Sequence, residues 1–273
     1  MHICKKSTNF ARLFVNIHEE YCRIMKKILF IIACSLSISL TMTARKPAQL
    51  FVVGDNTAAS RVDFTSTNER GWGQVLPTFL SGVNVRNMAF NAASSKSFIE
   101  TGAWTKLLEN AQRRDYVVIQ FGLNDLNINK GQLYSSISEM EHNLLQMIKE
   151  AQKKRLNIIL TTPISRIRYN TFEDSVFYSS FGAYAEATRR VAKQQQLPLV
   201  DLEALTAAQL SQLSHEQIDE LYTDGINLTE SGALWVAGLW ARAALEDETI
   251  AKAKIIAIPD TPNPAPIYAN YEE

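Results

Sequence analysis

The stretch Tyr116-Val117-Val118-Ile119-Gln120-Phe121-Gly122-Leu123-Asn124-Asp125 decides how this chain is read. Its first residues are apolar without polar alternation, which fits a strand buried on both faces, and Gly-x-Asn-Asp behind it is turn chemistry. Similar runs mark strands at Gln49–Val53, Val83–Met88, Leu156–Thr161 and Leu199–Asp201. Helical patterns fill the intervals: Gly73–Leu80, Phe98–Asn110, Leu133–Lys153, Gly182–Gln195 and Ser231–Leu245. In the longest, Met140, Leu144, Met147, Ile148 and Ala151 keep a spacing of three or four, as a helix covering a sheet should. Strands alternating with helices imply a parallel sheet with right-handed crossovers, here an α/β three-layer sandwich around five parallel strands. Ligands of such sheets bind beyond the carboxyl ends of the strands. Asn56, Asn91–Ser94 and Asn124 all follow strands, so they are expected to converge on one rim.

Other stretches fall in a telling order. Leu50-Phe51-Val52-Val53-Gly54-Asp55-Asn56-Thr57-Ala58-Ala59 ends a buried strand in Gly-Asp. Gly71-Trp72-Gly73-Gln74-Val75-Leu76-Pro77 follows, then Asn87-Met88-Ala89-Phe90-Asn91-Ala92-Ala93-Ser94-Ser95-Lys96-Ser97-Phe98. Further along come Thr161-Thr162-Pro163-Ile164-Ser165-Arg166, Leu197-Pro198-Leu199-Val200-Asp201-Leu202 and Thr223-Asp224-Gly225-Ile226-Asn227-Leu228-Thr229-Glu230-Ser231-Gly232-Ala233. Together they resemble the SGNH (GDSL-type) hydrolases, closest to the rhamnogalacturonan acetylesterase-like proteins, over roughly Leu50 to Ala241. The resemblance implies a flavodoxin-like SGNH hydrolase fold.

It also implies roles. Asn56 stands at the family's serine nucleophile and Asn227 at its histidine base, three residues after the retained Asp224. A carboxamide is neither a practical nucleophile nor a base near neutral pH, and a Ser–His pair acts as a unit. Asn124 matches the side chain that donates to the oxyanion. Ala92 stands where a glycine N–H completes that hole, and the donor is expected to survive if φ is not positive. Leu123 sits where pectin-directed members carry His, and Asn91 and Ala93 replace a Gly and an Arg. Asp55, Thr57, Asn91, Ser94, Leu123 and Asp125 are the candidate pocket residues around these positions.

Each position also has a plainer role. Asn56-Thr57 and Asn124-Asp125 fit turns, and Asp224 fits a turn or a hydrogen bond to the Asn227 amide. Thr229 suits the cap of the last helix. His215 lies among polar residues and reads as surface, and Trp72, Trp104, Trp235 and Trp240 read as core rather than a sugar-stacking platform.

Lys26-Lys27, the apolar run from Ile28 to Leu40 and the small residues ending at Ala44 read as a secretory signal, Met25–Ala44. Residues 1–24 then form an upstream start-site extension, 45–258 a single domain and 259–273 a terminal tail. The run is shorter than the ~20 residues a membrane span needs. A lipoprotein reading at Cys34 leaves too short an apolar region before the cysteine. Cys4, Cys22 and Cys34 all precede residue 45, so the expected mature protein carries no disulfide, as suits a bacterial periplasmic or secreted protein held by its core. Balanced charge, 28 basic against 28 acidic residues, gives no basic stripe for nucleic acid. His142 and His215 are too far apart in sequence to suggest a metal site, and no cofactor is expected.

Two functions remain open. One is a binding pseudoenzyme for a carbohydrate or acylated ligand, with acetylated plant polysaccharide as the candidate partner. The other is an active carbohydrate acetylesterase with a rearranged nucleophile drawn from Thr57, Ser60, Ser94 or Ser95.

Overall fold

The computed structural model describes residues 18–30, 46–61, 68–167 and 181–258. The chain divides into two units, Met1–Lys46 and Pro47–Glu273. In the first, 18–30 is helical, and most of the expected signal segment lies outside the described residues, as does the expected tail. No helix among the described residues is long and apolar enough to cross a membrane.

The second unit is built on five parallel strands: β1 (Ala48–Gly54), β2 (Val83–Asn87), β3 (Tyr116–Gln120), β4 (Asn157–Thr161) and β5 (Leu199–Val200), in the order β2-β1-β3-β4-β5. β1 and β3 lie centrally, in register Leu50 to Tyr116 through Gly54 to Gln120, and are buried as their unbroken apolar runs require. The order reverses at β1, so a crevice opens beyond the β1 and β3 carboxyl ends.

The helices are α1 (Trp72–Val75, continued by a 3₁₀ turn over Leu76–Phe79), α2 (Ser95–Glu100), α3 (Ala103–Asn110), α4 (Ile137–Lys153), α5 (Gly182–Gln195), α6 (Leu202–Leu210), α7 (His215–Asp219), α8 (Glu230–Glu246) and α9 (Glu248–Ala251). One layer packs Trp72, Leu76, Trp235, Val236 and Trp240 against Leu50, Val52 and Val118. The other packs Phe98, Leu107, Met140, Leu144, Met147 and Ile148 against Phe51, Val53 and Val117. All four tryptophans named above are buried core, with Trp72 and Trp240 stacked at 6.2 Å. The Met140-to-Ala151 stripe faces the sheet as its spacing requires.

Three helix expectations need correction. Phe98–Asn110 is two helices, because Gly102 takes φ 78° and breaks the run. The long helix starts at Ile137 rather than Leu133, where Ser136 caps it reciprocally with Glu139. The pattern from Gly73 to Leu80 holds only one α turn before tightening to 3₁₀ at Pro77.

Candidate functional site

The turn after β1 is fixed from behind. Asp55 O accepts the Ala58 and Ala59 N–H groups at 3.1 and 3.0 Å, and Asp55 Oδ1 accepts both the Thr57 N–H (3.0 Å) and the Thr57 hydroxyl (2.8 Å). Gln120, buried at the end of β3, donates to Thr57 Oγ1 (3.0 Å) and accepts from Trp72 Nε1 (2.9 Å). Gly71 makes room for this turn: a Cβ there would lie 2.1 Å from the Ala59 carbonyl oxygen. Burial pushes the Asp55 carboxyl up to about 6, against the opposing hydrogen bonds from Thr57. It also raises Asp125, which Ser95 holds through its hydroxyl and backbone N–H.

This network presents Asn56 at the rim. Its Oδ1 accepts two bonds, from the Ala92 N–H at 2.8 Å and from Asn124 Nδ2 at 3.0 Å. Asn124 also donates to the Ala93 carbonyl (2.8 Å), tying the loop after β3 to the loop after β2. The three strand-end positions thus do converge. The expectation about Ala92 needs a correction: its φ is 58°, left-handed, yet its N–H still points into the hole. An L-residue held there costs about 1–2 kcal/mol.

Asp224 and Asn227 complete the same rim. Asp224 Oδ1 accepts the Ile226 and Asn227 N–H groups at 2.9 and 2.6 Å, and Asp224 Oδ2 accepts Asn227 Nδ2 at 2.8 Å. Thr229 caps α8 by accepting the Gly232 N–H. His215 is exposed at the start of α7, as its polar neighbours suggest.

The residue that sequence reasoning missed is Arg61. Its guanidinium donates to Asn227 Oδ1 (2.9 Å), to the Asn56 carbonyl (3.3 Å) and to Asn91 Oδ1. Its Nε lies 3.5 Å from Glu69 Oε2, an ion pair without a hydrogen bond, and the side chain is only 10% exposed. One largely buried cation therefore ties Asn56, Asn91 and Asn227 together. No local signal announces it, because Asn91 and Asn227 are 30 and 166 residues away in sequence.

Beside this cluster lies a cleft of about 410 Å³, lined by Asn56, Leu123, Asn124, Leu126, Asn127, Ile128, Asn129, Lys130, Arg166, Ile226 and Asn227. Among the described residues its wall is five carboxamides, two cations and four aliphatic side chains. Leu123 lines the cleft. Asp55, Thr57, Ser94 and Asp125 do not: they are buried behind its wall, since polar side chains within a tight turn fold back onto its own N–H groups. Asn91 stands on the rim, engaged by Arg61. Ser94 caps α2 through a reciprocal pair with Ser97. The four candidate replacement nucleophiles are no better placed. Thr57, Ser94 and Ser95 are buried, and the exposed Ser60 hydroxyl accepts a bond from Asn87 Nδ2 at 3.0 Å. No group of three or more metal-ligating side chains occurs among the described residues.

A parallel sheet of order 2-1-3-4-5, with N–H donors from two strand-end loops converging at its switch point, defines the class: a flavodoxin-like acyl-hydrolase scaffold. Residues 52–234 match the GDSL-like lipase/acylhydrolase family, and the chain belongs to that family. A probable rhamnogalacturonan acetylesterase of Bacillus subtilis (strain 168) is 31% identical over 205 residues, 72% of this chain and 92% of its own. A second rhamnogalacturonan acetylesterase of that organism is 31% identical over 218 residues, 74% and 91% of the two chains. Among solved structures, the YxiM protein of Bacillus subtilis superposes with a TM-score of 0.66 at 26% identity. That likeness covers 75% of this chain and spans 57% of the YxiM chain.

Proposed function

We propose that this chain is an exported carbohydrate-binding member of the GDSL-like family that does not turn over esters. The observation that carries this reading is the Asn56 side chain, whose Oδ1 fills the pair of N–H donors, at the residue that the resemblance aligns with the family's nucleophile. Asn227, at the position of the base, has no lone pair on nitrogen to take a proton, and its two ends are engaged by Asp224 and Arg61. In a serine hydrolase, losing the triad costs about 10⁶-fold in turnover and leaves a residual of about 10³–10⁴ over water. Two relatives named rhamnogalacturonan acetylesterases support a pectic saccharide as the ligand class. The five amides along the cleft suit hydroxyl groups, each able to donate and accept. Export rests on the signal-like stretch Met25–Ala44, and the folded domain on 45–258. An active esterase would need a reachable nucleophile, and the burial of Thr57, Ser94 and Ser95 speaks against each of them. The test is acetate release by the purified protein from p-nitrophenyl acetate and acetylated pectic oligosaccharides. Silence is expected; steady turnover abolished by replacing Ser60 would overturn the reading.

A further inference from the structure

The orientation of the Asn56 carboxamide is fixed by chemistry. Both of its near partners, the Ala92 N–H and Asn124 Nδ2, are donors, so the oxygen must face them and the Nδ2 must face away. Asn56 lines the cleft, and its Nδ2 makes no hydrogen bond among the described residues. The protein thus fills its own acyl hole with the side-chain oxygen and leaves an N–H₂ donor without a partner among the described residues, on a residue that lines the cleft.

An incoming acetyl carbonyl gains nothing from this hole. It would have to break the two bonds at 2.8 and 3.0 Å and could regain only two of the same neutral kind, leaving the Asn56 oxygen to find new partners. A sugar hydroxyl has no such competition, because its oxygen can accept directly from Asn56 Nδ2. The exposed Ile128, which lines the same cleft, offers an aliphatic surface to the C–H face of a sugar ring.

We propose that the cleft recognises the free-hydroxyl, deacetylated form of a saccharide rather than its acetyl ester, inverting the preference expected of an esterase site. This rests on the reading of the chain as a binding protein without turnover and adds which form it binds.

The probes are acetylated rhamnogalacturonan oligosaccharides and the same material deacetylated with alkali, titrated calorimetrically into the purified protein. The deacetylated form is expected to bind more tightly than the acetylated one. Asn56→Ala, which empties the hole, is expected to shift the ratio toward the acetylated form by about tenfold, the worth of one to two neutral hydrogen bonds. Nuclear magnetic resonance of the unaltered protein provides a check that needs no variant. The Asn56 side-chain N–H₂ signal should move on binding, while those of the Ala92 N–H and the Asn124 amide stay. Equal or tighter binding of the acetylated form, movement of the Ala92 and Asn124 signals, or binding of neither probe would overturn the proposal. Acetate release during the titration would instead refute the underlying reading of a silent site.

Discussion

Installing the pair Asn56→Ser and Asn227→His should restore esterase activity only weakly, because Arg61 remains. The guanidinium Nη2 lies 2.9 Å from the Asn227 side chain, so an imidazole placed there would sit within about 4 Å of a largely buried positive charge. Two unit charges at that distance repel by roughly 4 kcal/mol at an effective dielectric of 20. The Asp224 carboxylate, 2.8 Å from the same side chain, attracts the imidazolium and cancels part of this. A net penalty of about 2–3 kcal/mol on the protonated base, the form that develops in the transition state, corresponds to a rate loss of roughly 10²-fold. Adding Arg61→Gln should therefore raise kcat/KM on p-nitrophenyl acetate by about 10²-fold over the double variant. The acid limb of the pH–rate profile should move to higher pH, since removing a like charge raises the installed imidazole's pKa. A double variant as active as the triple, or a folded triple variant that stays silent, would refute the argument.

Two further expectations concern stability. Gly71→Ala would set a Cβ 2.1 Å from the Ala59 carbonyl oxygen and 2.5 Å from the Ala58 carbonyl carbon, both backbone atoms. A loss of about 2–3 kcal/mol is expected in urea unfolding, with disturbance of the Asn56 amide signals because the displaced turn carries that residue. Asp55, pushed from 3.8 to about 6, binds its proton more tightly folded than unfolded, so its contribution to stability is present below about pH 4 and lost as pH rises through 6. The loss is up to about 3 kcal/mol, and unfolding measured at pH 4 and pH 7 should show a smaller decline in Asp55→Asn than in the unaltered protein.

The fold was legible because its strands are written plainly. Phe51, Val52 and Val53 in β1 and Val117, Val118 and Ile119 in β3 are unbroken apolar runs, and every expected strand lies within a residue of its observed bounds. The helix α6 was missed because its inward stripe, Leu202, Thr206 and Leu210, has a threonine in the middle. That threonine is buried by bonding the Leu202 carbonyl, which no periodicity rule detects. The convergence of Asn56, Ala92 and Asn124 was legible from their placement after strands. Which neighbours face the cleft was not, because Asp55, Thr57 and Asp125 share the same short motifs yet turn inward to satisfy buried N–H and hydroxyl groups. Arg61 was invisible for a different reason: its role depends on three loops brought together only by the tertiary fold.

The sheet's two borders bear on how the protein behaves in concentrated solution. With equal numbers of acidic and basic residues and an isoelectric point near 6.9, the chain has little net charge to keep copies apart at neutral pH. Protection against strand-to-strand association then falls to the sheet edges themselves. β5 pairs through only Leu199 and Val200, too short a ledge to template another chain. At the opposite edge, β2 alternates half-buried and exposed positions and sets Asn84 and Arg86 toward solvent. A cationic side chain on an edge strand discourages a neighbour from docking there, so what guards this sheet against strand addition is the form of its borders rather than the chain's overall charge.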